Sequence, residues 1–167
     1  MSISKQDVIT AALQLERDGR KFYLDASNKA TSPLARQMFQ SLAEDESRHI
    51  EWIENIAPGA RSAEEVNQDL YKRLSHIFAE MPEETRRGAH MAQHDADAIA
   101  LAIGIEIKSR DAYAQWARDA DSKDVRDLCQ VLAGVEDYHK KLLENTREYL
   151  NYSGDWFLQD KGVVELG

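Results

Sequence analysis

The chain carries one cysteine, Cys129, in 167 residues. That count excludes a disulfide framework, a CxxC redox pair and a cysteine-built zinc site. Proline and glycine are also scarce, at three and eight, and runs of β-branched residues with period-two alternation are hard to find. A sheet-rich fold is therefore excluded, and the chain reads as all-α. No apolar run approaches the ~18 residues that span a bilayer, so no membrane partner is expected. The opening residues, Met1 to Asp7, lack the basic-then-apolar pattern of a secretory signal, and a cytoplasmic location is expected. Positive charge is in deficit: twenty-one Lys and Arg stand against thirty Asp and Glu, a net charge of -9. Such a surface repels phosphate backbones and attracts cations, so nucleic acid is not expected as a partner.

The helices are delimited by caps and breaks. Ser4, with Asp7 three residues on, opens a helix whose apolar positions Val8, Ala11, Ala12, Leu15, Phe22 and Tyr23 run towards residue 28. Thr31-Ser32-Pro33 supplies an N-cap and a proline at the first helical position, starting a second helix that reaches about Ile56. Ala57-Pro58-Gly59-Ala60 breaks it. A weaker stripe through Val66, Leu70, Leu74, Ile77 and Phe78 predicts an extra helix within a long crossover of about residues 57–91, closed by Met81-Pro82. A third long helix is expected from about Ala92 to Ala120, and a fourth from the Asp121-Ser122 break to about Tyr152. Residues 1–152 then make one four-helix bundle. The tail, 153–167, holds Trp156 and Phe157 and is expected to dock on the bundle or on a partner chain.

An ungapped repeat joins the two halves. At an offset of 90 residues, Ala12 pairs with Ala102, Glu16 with Glu106, Tyr23 with Tyr113, Ser32 with Ser122, Arg36 with Arg126 and Gln40 with Gln130. The register continues through Leu42-Ala43 with Leu132-Ala133, Glu46 with Glu136, His49 with His139, and Glu54-Asn55 with Glu144-Asn145. So long a match implies two copies of one helical hairpin facing each other. Packing alone accounts for the paired alanines and leucines. Paired Glu and His at inward positions need compensation, because burying a carboxylate without a partner is costly, and a divalent cation supplies it.

The spacing concentrates these groups. Residues three apart share a helix face, so Glu46 with His49, and Glu136 with His139, can address one ion each. Glu16 and Glu46 both lie 15 residues from the turn near residue 31, as Glu106 and Glu136 do from the turn at 121. At about 1.5 Å per residue each is roughly 22 Å from its turn, so antiparallel partners meet at one height. Four carboxylates and two imidazoles around one point suit two ions. Oxygen and imidazole donors without thiolate favour iron or manganese, with zinc left open.

This pattern resembles the rubrerythrin family of the ferritin-like di-iron carboxylate superfamily, in which one helix of each hairpin gives a Glu and the other a Glu-x-x-His. The matching residues here are Glu16, Glu46-Ser-Arg-His49, Glu106 and Glu136-Asp-Tyr-His139, and the resemblance spans about residues 4 to 152. It implies a ferritin-like bundle with two iron ions per chain, bound by Glu16, Glu46, His49, Glu106, Glu136 and His139. It also implies an oxidoreductase that reacts with peroxide or dioxygen. The rubredoxin-like domain of classical rubrerythrins has no counterpart, so a separate electron-donor protein is expected. Bacterioferritins place a haem-binding methionine where this chain has Ser47, and no haem is expected. A ferroxidase or iron-storage role is the alternative.

Tyr23 and Tyr113 each lie seven residues beyond a ligand glutamate, two turns along the same face. They read as hydrogen-bond partners or one-electron donors beside the metals, or equally as core. Trp52 and Trp116 read as packing aromatics, and His76, His90 and His94 as surface histidines outside the repeat. Glu44, Glu51 and Glu54 fall on other helix faces than Glu46. Duplicated hairpins with an apolar tail make a homodimer the expected assembly.

Overall fold

The computed structural model describes residues 2–56, 62–82, 85 and 92–152. Among the described residues the long helices are α1 (Lys5–Lys29), α2 (Pro33–Asn55), α3 (Ala63–Glu80), α4 (Gln93–Asp119) and α5 (Lys123–Tyr152). α1 lies along α2 and α4 along α5, making the two hairpins of an all-α, four-helix bundle, while α3 occupies the crossover between them. The tail 153–167, His90 and the break at 57–60 lie outside the described residues.

The predicted N-caps of the first two helices are in place. Ser4 Oγ accepts the Asp7 N–H at 3.2 Å, and Ser32 Oγ accepts the Ala35 N–H at 3.4 Å ahead of Pro33 in the first turn; each such cap contributes about 1 kcal/mol. Both hairpin turns then use the same device. Ala30 and Ala120 leave their helices in extended conformation, and the guanidinium of Arg36 donates to the Ala30 carbonyl at 2.9 Å as Arg126 does to Ala120 at 2.6 Å. Repetition of Arg36 and Arg126 is thus explained by helix-end carbonyls that would otherwise lack a donor.

Each turn is also tied to the opposite hairpin. Asp95, fully buried near the start of α4, accepts from Thr31 N at 3.0 Å, Thr31 Oγ1 at 2.8 Å and Ser32 N at 2.7 Å. At the other end Ile3 bridges to the α4–α5 turn, donating to Asp119 O at 2.8 Å and accepting from Asp121 N at 2.9 Å. These ties set the height of one hairpin against the other.

α3 packs on α2 and α5 through Val66, Leu70 and Leu74, the buried part of its predicted stripe. Ile77 is half-buried, and the side chain of Phe78 lies outside the described residues. Gly134 permits this packing: a Cβ there would come within 2.7 Å of Ala63 Cβ.

Apolar residues fill the bundle in two groups. One, towards the α1–α2 turn, includes Tyr23, Phe39, Leu42, Ile99, Leu142 and Leu143. The other, towards the α4–α5 turn, includes Val8, Ile53, Tyr113, Leu128 and Leu132, together with Cys129. Burial pushes that thiol up to about 12, which leaves it protonated and inert. Between the two groups the sequence places glutamate and histidine.

Candidate metal centre

Glu16, Glu46, His49, Glu106, Glu136 and His139 all meet in that interval, and none is more than 4% exposed. Every helix of the bundle contributes: α1 gives Glu16, α2 gives Glu46 and His49, α4 gives Glu106, and α5 gives Glu136 and His139. Their ligand atoms form two groups, Glu16, Glu46, His49 and Glu136 in one, and Glu46, Glu106, Glu136 and His139 in the other, each within 4.8 Å. Glu46 and Glu136 belong to both. Two cations held here would therefore share those carboxylates, with Glu16 and His49 at one end and Glu106 and His139 at the other.

Both imidazoles present the same nitrogen to the carboxylates. His49 Nδ1 lies 3.0 Å from Glu16 Oε2 and 3.3 Å from Glu136 Oε1. His139 Nδ1 lies 3.6 Å from Glu46 Oε1 and 3.7 Å from both Glu106 Oε2 and Glu136 Oε2. The rings stack with centroids 5.5 Å apart and planes 12° from parallel.

Electrostatics show what this arrangement requires. Burial, then the charges of Glu16 and Glu136, hold the Glu46 carboxyl well above the ordinary range, and burial with Glu136 does the same to Glu106. Burial also works against the charged form of Glu136, but the adjacent Glu106, His139 and His49 overcome it and hold Glu136 low. For His49, burial disfavours charge, yet Glu16 and Glu136 raise its pKa to about 10. His139 is raised likewise, against burial, by Glu106 and Asp45. Protons thus supply the positive charge that four adjacent carboxylates demand. The fit to metal is direct: Glu46 Oε1, Glu106 Oε2, Glu136 Oε1 and His139 Nδ1 are buried without a hydrogen bond, and buried carboxylates and imidazoles in that state are compensated by a cation.

Tyr23 and Tyr113 cross between the hairpins. The Tyr23 hydroxyl donates to Glu106 Oε1 and the Tyr113 hydroxyl to Glu16 Oε1, so each repeat orients the other's outer glutamate. Both rings are fully buried, and burial, reinforced by those carboxylates, holds both phenols well above their ordinary range. They are proton-bearing donors and core residues at once.

Two residues of the site escape the motif reading. Asp45, 3% exposed, accepts from His139 Nε2 at 3.3 Å and pairs with Arg48 and Arg73. Burial opposes its charge, but His139 and the neighbouring cations hold its carboxyl low. Its counterpart in the repeat is Val135, so the duplication that finds the glutamates passes over it. Gly19 is the other: a Cβ there would stand 3.3 Å from Glu46 Oε2, so the absent side chain leaves room for the shared carboxylate.

The remaining candidates stay outside. His76 and His94 are exposed, with His76 3.3 Å from Glu80. Glu44 bonds to Arg73 at 3.0 Å, and Glu54 pairs with Arg17 at 3.5 Å. Trp52 packs on His49 and Trp116 on Tyr113. No described helix is long and apolar enough to cross a membrane.

Comparison with known proteins agrees with this geometry. No curated protein and no solved structure matches the chain. The family model described as Rubrerythrin matches residues 7–146, both hairpins with all six buried ligand candidates. By a match that covers most of its length, the chain belongs to the rubrerythrin family.

Proposed function

We propose that this chain binds two iron ions between its hairpins and acts as an oxidoreductase, reducing peroxide or dioxygen with electrons from a separate donor protein. The observation that carries the reading is the sharing of Glu46 and Glu136 between two adjacent ligand groups, which suits a coupled pair of ions rather than two isolated structural ones. Iron bound there would supply the electrons, two for each peroxide converted to water. The protein's part is to hold, orient and shield. Glu16 and Glu106 are kept in place by Tyr113 and Tyr23, and His139 is kept in orientation by Asp45, the arrangement that raises the basicity of a ligating imidazole. Both phenols retain their protons at neutral pH and so remain hydrogen-bond donors to those carboxylates. The apolar groups at either end of the site exclude water along the bundle axis.

The test is to load the purified chain with ferrous ion without oxygen and follow its oxidation by stopped flow, with peroxide and with dioxygen. Faster oxidation by peroxide supports a peroxidase. Rapid oxidation by dioxygen with continued uptake of iron moves the reading to a ferroxidase or storage protein. A two-iron chain inert to both oxidants overturns the redox reading.

A further inference from the structure

The carboxylates of the two ligand groups are supported alike. Glu16 and Glu106 each accept a hydrogen bond from the tyrosine of the opposite hairpin, and Glu46 and Glu136 each belong to both groups. The likeness ends at the histidines. Both turn Nδ1 to the carboxylates, and His139 gives its far nitrogen, Nε2, to Asp45 Oδ2 at 3.3 Å. His49 Nε2 is buried with no hydrogen-bond partner among the described residues. The residue that matches Asp45 in the repeat is Val135, fully buried and unable to accept a hydrogen bond.

Asp45 is a fixed acceptor. Arg48 and Arg73 grip its Oδ1, which leaves Oδ2 for His139. Glu44 takes Arg73 Nη1 at 3.0 Å, so two carboxylates stand against the two guanidiniums and neither sign prevails beside the site. Asp45 therefore acts on His139 through the hydrogen bond itself. Turning the His139 ring over would break that bond, which locks Nδ1 towards the carboxylates. His49 is held by packing on Trp52, with ring centroids 5.3 Å apart, and such a contact does not tell the ring's nitrogen from its carbon. A locked imidazole gives up less freedom when it takes a metal, and a hydrogen bond from its far nitrogen makes the near one a stronger donor. The pairing of Gly19 with Ser109 is a second difference between the halves, but Gly19 lies against Glu46, a carboxylate common to both groups, and so does not rank them.

We propose that the two metal positions are unequal and fill in a set order: a divalent cation occupies the Glu106–His139 position first, and the Glu16–His49 position takes its ion second, with an intrinsic affinity roughly ten-fold lower. Asp45 is the positioning residue that sets the order, acting through His139. The proposal rests on the reading of both imidazoles as metal ligands through Nδ1. Repulsion between the ions weakens whichever binds second, so it separates the two steps without deciding their order. A chain short of metal then carries a single ion beside His139. The position beside His49 is the one that exchanges, and a second cation of a different kind can complete the pair.

The experiment uses the full metal-free chain with isotope-labelled histidine. Zinc, which is redox-inert, is added in steps to two equivalents, while bound metal and the imidazole nitrogen resonances of His49 and His139 are recorded. The His139 signals should convert to the metal-bound form over the first equivalent and the His49 signals over the second. Asp45→Asn, which keeps the shape and removes the charge, should bring the two conversions together with the capacity still at two zinc ions. Val135→Asp, which places a carboxylate where the repeat has Asp45, should advance the His49 conversion into the first equivalent. Should that variant fail to fold, the wild type and Asp45→Asn decide. Two bound zinc ions with both rings converting together in the wild type, or with His49 converting first, overturn the proposal and leave the metal reading standing. The wild-type order retained in Asp45→Asn overturns the part given to Asp45, and a chain that takes up no zinc overturns both the order and the metal reading.

Discussion

Removing metal should leave a protein whose stability falls as pH rises, and restoring metal should release protons. His49 has a folded pKa of about 10 against an ordinary 6.5, so its contribution is complete below pH 6.5 and lost as pH climbs through about 10. At ~1.4 kcal/mol per pH unit, the shift sets an upper bound of about 5 kcal/mol. His139 is raised too and acts with the same sign. Glu46 and Glu106, also raised, bind more protons folded than unfolded above their ordinary range, so they too lose stability with rising pH. Glu136 and Asp45 are held low; their contributions are present above the ordinary carboxylate range and vanish in acid. The metal-free chain should therefore be most stable on the acid side of neutrality. Metal needs neutral imidazoles and ionised carboxylates, so loading should displace about two to four protons per chain, two from the histidines and the rest from Glu46 and Glu106. Urea unfolding of chelated protein between about pH 6 and pH 10 reads the first effect, and anaerobic metal titration in weakly buffered solution reads the second. Metal-free stability that is flat or rises over that interval, or metal uptake without proton release, would refute the reasoning.

Gly19→Ala should separate stability from binding. Alanine within α1 favours the helix by about 0.5–1 kcal/mol, raising the melting temperature of the metal-free chain, while its Cβ at 3.3 Å from Glu46 Oε2 should lower metal affinity roughly ten-fold. Unchanged affinity in a competition titration would count against the close approach. Asp45→Asn keeps the shape but removes the charge facing His139, and metal affinity should fall roughly 10- to 100-fold with the helical circular dichroism unaltered. Arg36→Ala removes the donor to Ala30 O and should cost about 1–2 kcal/mol in chemical denaturation while metal content stays at the wild-type value.

Much of the fold was legible because helix signals are local. Ser4, Ser32 and Pro33 mark helix starts, and the stripe from Val66 to Leu74 marks the crossover helix, all through contacts within a few residues. The meeting of the six buried Glu and His residues was legible for a different reason: duplication writes the same geometry twice, and equal distances from two turns place antiparallel residues at one height. What duplication does not repeat stays hidden. Asp45 faces Val135 in the alignment of the halves, and its bond to His139 spans 94 residues, a separation that no local pattern encodes. Gly19 acts by lacking a side chain, and Asp95 by reaching a turn 64 residues away. The crossed Tyr23–Glu106 and Tyr113–Glu16 bonds follow from the two-fold relation of the hairpins, which spacing along one helix suggests as proximity and not as partnership.

Metal stoichiometry distinguishes a shared two-ion centre from a single or a divided one. The full chain is loaded anaerobically with ferrous ion, freed of loose metal, and assayed for iron beside Glu46→Ala, which removes a carboxylate common to both ligand groups. Two ions per chain in the wild type, with both lost or weakened together in the variant, is the predicted result. One ion per chain or none, or loss of a single ion from Glu46→Ala with the other held at wild-type affinity, would contradict it.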